Sequence, residues 1–459
     1  MKQNNILLLL KLVLCTSIMS IHSFITSSAF IYSSIILAQL KDPSFDIHID
    51  NVQASWIASI PNLVCPIGLI LTGIVTDRFG RKRVLQISFV PMIIGWFMLY
   101  FAKNFYFILV ARVVLGLSYG SGIVVSIYAA EICPTALRPM FLAVTIVYTG
   151  FSMLFATLLG IYFSWRILAA IYGVLGLFGA LGLFIIPEPP IWLRSRGRKD
   201  EAIRAEQWLG LESMSVKEDV EIPIAPPIEQ AKLLSWSTYT ASNIWKPTVH
   251  VIFFIFLQQC SGIHVLMSYS VDVLHDCGVQ KDGITVTMYL SIARLIGSLT
   301  YFLLSGVKRK TLTIISGLGM FVWMSVIVGY IYEFENTSDT SYNNWLIVAF
   351  FLYVYFSMLA MMPIPWSISG EIFPMHVKGI MNAFVQSVGY EILFGATKIY
   401  PTLVAIMGIK IVWTFFTSTC LIIVLYGWLL LPETKGKSLD EILIGFESKK
   451  IKDKIKNLP

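Results

Sequence analysis

Glu131-Ile-Cys-Pro134-Thr-Ala-Leu-Arg138 returns later in the same chain as Glu371-Ile-Phe-Pro374-Met-His-Val-Lys378. The two octets share Glu, Ile and Pro in register and close on a cation. Other landmarks recur around them in the same order: Arg81-Lys82 is echoed by Arg309-Lys310, and Pro187-Glu188 by Pro432-Glu433. Three ordered coincidences point to an internal duplication. The sequence between the landmarks shows what was duplicated. It is a series of apolar blocks, each about the twenty residues that a helix needs to cross a bilayer. Six lie near 11–38, 53–75, 84–102, 105–128, 140–161 and 165–186, and six more near 247–271, 284–305, 311–332, 345–369, 380–405 and 409–431.

Composition agrees. The chain has 459 residues, of which 56% are hydrophobic and 13% charged. A soluble domain carries about 25% charged residues, so a water-facing surface has no room for this apolar excess. None of the blocks alternates polar and apolar residues as a membrane β-strand does. The expected fold is an all-α membrane protein with twelve transmembrane helices in two pseudo-symmetric six-helix halves. Residues 1–187 form the first half, 188–246 a cytoplasmic linker with short helices, 247–432 the second half and 433–459 a cytoplasmic tail. The run Ile6–Leu14 has the apolar character of a signal peptide, but Lys11 interrupts it and apolar sequence continues past Phe30. It reads as the first span, retained in the mature chain.

Lys and Arg set the orientation. Alternate loops hold Arg78, Arg81, Lys82, Arg83, Arg138, Lys308, Arg309, Lys310 and Lys378, together with the linker and the Lys-rich tail. Both termini are therefore expected in the cytoplasm. Asn336-Thr337-Ser338 fits a glycosylation acceptor in a loop on the opposite side. The net charge of +7 is thus an orientation signal, and no basic folded surface suggests nucleic acid as a partner. The six cysteines show no metal-ligand or paired spacing. No nucleotide loop, metal cluster or nucleophile–base arrangement stands out, so neither an enzyme nor a cofactor is expected. A duplicated pair of parallel six-helix halves suits transport by alternating access at a midplane site.

Gly73-Ile-Val-Thr-Asp77-Arg78-Phe-Gly80-Arg81-Lys82 resembles the signature loop of the major facilitator superfamily. Gly73 is expected to allow close helix approach and Gly80 a tight turn. Asp77, Arg78, Arg81, Glu131, Arg138, Glu188, Glu371, Lys378 and Glu433 would form a cytoplasmic charge network that biases one state of the transporter. Further motifs resemble the sugar porters: Arg112-Val-Val-Leu-Gly116, Gln258-Gln259-Cys-Ser261-Gly262-Ile263, Pro363-Ile-Pro365-Trp366 and Pro432-Glu433-Thr434-Lys435-Gly436. Within that family, Thr397-Lys398 and the short tails look most like the insect trehalose and glucose carriers. The resemblance implies a plasma-membrane carrier of trehalose or a hexose, with one copy sufficient. It also implies that Gln258, Gln259 and Trp366 touch the sugar. Amides supply donors and an acceptor for hydroxyls, and an indole covers an apolar sugar face.

The sequence departs from the family pattern inside the expected pocket. His264 replaces the usual Asn, Ala293 replaces an amide with Arg294 beside it, and Gly389-Tyr390 replaces Asn-Trp ahead of Glu391. Ionisable groups within spans usually face the bundle interior. Arg294 and Glu391 are expected to pair, with His264 close by. These changes keep open a carrier for another polyol or organic solute, and a non-transporting sugar sensor. The first span has no acid, and His22 is its only group titrating near neutrality. Facilitated diffusion is therefore expected, against a proton-coupled alternative through Glu391 or His22.

Overall fold

The computed structural model describes residues 2–41, 46–134, 137–211, 240–279, 281–334, 343–370, 372–374, 377–435 and 441. The described residues are helical almost throughout and contain no strand. Buried in lipid, a backbone must satisfy its own hydrogen bonds, which leaves the helix as the solution for sequence of this pattern. Ten helical stretches among the described residues are long and apolar enough to cross a membrane.

Two breaks bear on how these ten stretches compare with the twelve crossings expected. The last helix, Lys378–Leu429, runs for 52 residues, about twice the length of a span, and leaves helical geometry at Gly408 with φ 80° and ψ 156°. It is long enough for two crossings. The seventh crossing is split into Ser242–Cys260, Ile263–Ser268 and Ser270–Asp276. Gly262 breaks it with φ 83°, a conformation that favours glycine. Its Cβ-free face lies against the Phe416 ring, where an added Cβ would stand 2.8 Å from Cε2.

Two compact units emerge. The first comprises residues 1–32, 39–49 and 60–227, and the second 33–38, 50–59 and 228–459. The first unit holds most of α1 (Lys2–Leu40) and α2 (Asn51–Phe79). It also holds α3 (Arg81–Tyr100), α4 (Phe105–Tyr119), α5 (Gly122–Ile132), α6 (Arg138–Tyr162) and α7 (Trp165–Gly182). Two short helices follow, α8 (Pro190–Ser195) and α9 (Lys199–Leu209). Helix α3 packs against α4 and α7. An aromatic chain joins them to α1: Tyr32 meets Trp96 edge-on at 4.9 Å, and Trp96 lies 4.8 Å from Tyr172. Such pairs add about 0.5–1.5 kcal/mol each beyond their burial.

The second unit contains α10 (Ser242–Cys260), α11 (Ile263–Ser268), α12 (Ser270–Asp276), α13 (Gly283–Leu303) and α14 (Arg309–Phe334). It continues with α15 (Asn343–Phe356), a π-turn over Ser357–Met361, α16 (Ile364–Ile368) and α17 (Lys378–Leu429). Helix α14 packs against α15 and α17, and α10 against α16 and α17. Short pieces of α1 and α2 belong here too. Ser34 Oγ shares a 2.7 Å hydrogen bond with Ser270 Oγ, and Lys398 Nζ donates to Ser55 Oγ at 2.6 Å.

Large apolar side chains stay exposed along single helix faces, as on α7, where Val174, Phe178 and Leu181 follow one another. In water such a stripe would need a partner. Here it is the face that meets lipid.

Candidate functional site

Two sets of residues carry chemistry: one at the basic end of each unit, the other buried inside the second unit. At the basic end, α3 begins after Gly80, whose φ is 104° and which supplies no side-chain cap. The first N–H groups of a helix have no partner within it. Glu188, remote in sequence, meets that need. Its Oε2 accepts from the backbone N–H of Arg81 at 3.0 Å and of Lys82 at 3.1 Å, and its Oε1 from that of Arg83 at 3.2 Å. Tyr128 Oη donates to the Pro187 carbonyl at 2.8 Å and so fixes the loop that delivers Glu188. The Arg81 guanidinium then pairs with Glu131 Oε1 at 2.8 Å. Burial pushes the Glu188 carboxyl above its usual range, more than the three N–H groups and Lys82 draw it down.

The second unit repeats the device. Glu433 Oε1 accepts from Arg309 N–H and Oε2 from Lys310 N–H, both at 3.2 Å, and Oε1 also accepts from Lys435 N–H at 3.0 Å. The two echoed pairs of the sequence, basic dipeptide and Pro-Glu, are therefore touching parts of one motif.

Other members of the expected network fare differently. Arg78 is exposed and lies over the Phe79 ring, 5.8 Å from its centre. Lys378 opens α17 and is half-buried. The Asp77 and Arg138 side chains, Glu371 and Asn336 lie outside the described residues. Gly73 does not serve close helix approach, because an added Cβ would meet nothing within 4 Å. The close approach occurs between Gly120 and the α2 backbone, where a Cβ would stand 2.5 Å from Leu69 Cα. Helical position within the loop motif does not reveal that difference, since it depends on which face of α2 meets α4.

The buried set centres on the broken seventh crossing. Gln258 and Gln259 end α10 and are 0% and 1% exposed. They do different work. Gln258 Nε2 donates to the Met361 carbonyl at 2.8 Å and to the Met362 carbonyl at 3.1 Å. Pro365, four residues beyond Met361, has no N–H to offer that carbonyl. The Gln258 amide stands in for it and ties α10 to the π-turn. The Gln259 amide, by contrast, has no hydrogen-bond partner on either its oxygen or its nitrogen. Buried polar atoms in native proteins are nearly always satisfied, so an exception calls for an explanation.

Three more expected site residues lie in the same unit. His264 on α11 lies within coulombic reach of Arg294 on α13. Arg294 is 6% exposed, and its Nε and Nη1 have no partner. Trp366 on α16 is half-buried and lies 5.1 Å from the Tyr390 ring. Gly389 makes room for the indole: a Cβ there would sit 3.1 Å from Trp366 Cη2. The expected pairing of Arg294 with Glu391 is not made. Arg294 is buried, whereas Glu391 is exposed and forms no ion pair among the described residues. Both residues were placed in the bundle interior by the cost of charge in lipid, but helix membership alone does not fix which face each occupies. His22 on α1 is fully buried, edge-on to Phe89 at 5.4 Å. Among the described residues no group of His, Cys, Asp and Glu is placed to hold a metal.

Amides, an imidazole, a guanidinium and an indole are groups that can hydrogen-bond a polyhydroxylated solute and cover its apolar face. Comparison with known proteins identifies the family. The family model described as "Sugar (and other) transporter" matches residues 12–446. The chain belongs to this sugar transporter family. It is 27% identical over 438 residues to the facilitated trehalose transporter Tret1 of Culex quinquefasciatus, covering 94% of this chain and 84% of that protein. Against Tret1 of Aedes aegypti the identity is 28%, and the match spans 54% of the longer mosquito protein. Among solved structures, the inward-open xylose transporter XylE from E. coli superposes with a TM-score of 0.75 at 19% identity, over 94% of this chain and 99% of that one. The fold is thus that of the major facilitator superfamily, and the chain is a multi-pass membrane carrier.

Proposed function

We propose that this sugar-transporter family member moves trehalose or a hexose across the plasma membrane by alternating access and facilitated diffusion. One copy suffices, and both termini lie in the cytoplasm. The observation that carries the reading is the Gln259 amide, buried with both polar atoms unsatisfied, in the same unit as the Trp366 indole and as His264, which lies within coulombic reach of Arg294. A sugar hydroxyl both donates and accepts, so it would satisfy the amide at once. The excess of Lys and Arg on one set of loops supports the orientation. Uptake of labelled glucose and trehalose into oocytes, at two external pH values, tests the proposal. Saturable uptake that does not change with pH is expected. Uptake that rises at acid pH would overturn facilitated diffusion, and no uptake at normal surface expression would overturn sugar transport.

A second reading rests on Arg294. A buried guanidinium with two unpartnered nitrogens favours a solute that carries a carboxylate, such as a sugar acid. Competition of glucose uptake by glucuronate, lost in Arg294→Gln, separates the two readings.

A further inference from the structure

A cavity of about 510 Å³ opens at the basic end of the first unit, away from the buried amide cluster. It lies between the start of α3, the segment that follows α7, and α8–α9. Its charged lining is unbalanced. Lys82, Arg83, Arg198 and Arg204 face Glu188 and Glu201. Both carboxylates are already engaged: Glu188 accepts the three N–H groups of α3, and Glu201 binds Arg198 through two hydrogen bonds of 2.7 and 2.6 Å. Lys82, Arg83 and Arg204 make no ion pair among the described residues. A fourth cation stands at the rim, where Lys11 of α1 lies over the Trp208 ring at 5.6 Å. Lys82 lies within coulombic reach of Glu188, while Arg83 and Arg204, which form no ion pair among the described residues, offer their charge to an anion.

The lining is also partly apolar. Phe184 and Ile185 line the cavity and are 71% and 61% exposed. They follow in sequence the exposed Phe178 and Leu181 of α7. The lining therefore combines cations that suit phosphate oxygens with exposed apolar side chains that suit acyl chains. Basic pockets at the cytoplasmic ends of membrane helices bind anionic headgroups by this combination.

We infer that this cavity binds an anionic phospholipid of the cytoplasmic leaflet, its phosphates on Lys82, Arg83 and Arg204 and its chains against Phe184 and Ile185. The choice of leaflet rests on the topology given under Proposed function; the chemistry of the site does not. Bound there, the lipid would bridge α3, the end of α7 and α9. It would act on the same helix start that Glu188 caps.

The test uses the full chain purified in detergent and reads binding by thermal shift, which requires neither transport nor a known orientation. The probes are dioctanoyl phosphatidylinositol 4,5-bisphosphate, dioctanoyl phosphatidylcholine and inositol trisphosphate. The phosphoinositide is expected to stabilise the protein at least about tenfold more tightly than phosphatidylcholine. Arg204→Gln with Lys82→Gln should weaken it by a similar factor. Phe184→Ser should weaken the lipid while leaving inositol trisphosphate binding unchanged. Equal binding of the two lipids, or undiminished binding in the Arg204→Gln, Lys82→Gln variant, would overturn the inference. Inositol trisphosphate binding as tightly as the lipid would also overturn it, in favour of a soluble phosphate. Because uptake is not part of the readout, failure of sugar transport would leave the result standing. Topology is checked separately, by labelling a cysteine introduced at the exposed Ile203 from either side of the membrane.

Discussion

Replacing Glu188 with alanine removes all three hydrogen bonds from the start of α3 in one step, and the cost can be worked from the contacts. The N–H groups of Arg81 and Lys82 share Oε2 and that of Arg83 uses Oε1, at 3.0–3.2 Å. Each such bond contributes about 0.5–1.5 kcal/mol net, and losing a helix cap costs about 0.5–2 kcal/mol. Water reaches the Arg83 end, so that bond counts least. About 2–3 kcal/mol is expected for Glu188→Ala, a fall in Tm on the order of 5 °C for a unit of this size. Glu188→Gln keeps an oxygen for Arg81 and Lys82 and disturbs only Arg83, so about 1 kcal/mol is expected. The raised pKa of Glu188 supports that order, because burial works against its negative charge and leaves the oxygens to do the capping. The pH dependence has a definite sign. A carboxyl whose folded pKa is raised contributes stability below its ordinary pKa and loses it as pH rises through the folded value. The margin of wild type over Glu188→Gln should therefore be widest in acid and shrink above the usual carboxylate range. Gly80→Ala is a second route to the same loss, since its Cβ would stand 2.8 Å from Glu188 Cδ and displace the carboxylate. Thermal unfolding in detergent across pH is the assay. If Glu188→Gln proves as damaging as Glu188→Ala, charge and not acceptor geometry holds the helix start, and this account is wrong.

Two further predictions follow from the second unit. Gln258→Leu strips the donor from the Met361 and Met362 carbonyls and should cost about 1–3 kcal/mol, whereas Gln259→Leu removes atoms that bond nothing and should leave stability unchanged while abolishing sugar uptake. Equal thermal stability of the two variants, or wild-type uptake by Gln259→Leu, would contradict the division of labour. Lys398 lies 4.0 Å from the Trp56 ring centre and donates to Ser55, so Lys398→Met, which keeps the stem, should cost about 1–2 kcal/mol. Lys398→Arg should recover most of that in the same melting assay, and no recovery would point to shape in place of charge.

The large-scale design was legible because lipid imposes it residue by residue. Long apolar blocks, the basic loops and the ordered repeats each follow from local sequence, and the helices fall where those blocks lie. Breaks were legible in part. The gap between the blocks 380–405 and 409–431 brackets the break at Gly408, whereas the interruptions at Gly262 and around Pro363 fall inside the blocks 247–271 and 345–369, which read as continuous. Facing was least legible. Gln258 and Gln259 are chemically identical, and only the position of Met361, on another helix and robbed of a donor by Pro365, decides which one is spent on structure. Arg294 and Glu391 failed to meet for the same reason: a sequence tells that each lies on a helix and leaves open which side it takes. Glu188 and Glu433 were visible as a repeat, yet their role as caps depends on contacts across more than a hundred residues of chain.

The duplication has been held at some positions and released at others, and the physical demands at each explain why. The third crossing of each half has its first N–H groups met by a remote carboxylate whatever solute is carried, and Glu188 and Glu433 remain in matching places. Arg81 bonds the Glu131 carboxylate at 2.8 Å, and among its contacts Arg309 donates to the Ser367 hydroxyl at 3.4 Å. On the proposed reading the interior answers to the solute. Gln259, His264, Arg294 and Trp366 all belong to the second unit, where their chemistry can change without disturbing a helix start. A carrier built this way can alter what it recognises through a few side chains around α10, α11 and α13, while the caps that hold its helices in place stay fixed. Substitutions in the two regions should therefore separate cleanly, those at Glu188 and Glu433 acting on stability and those at Gln259 and Arg294 on the choice of solute.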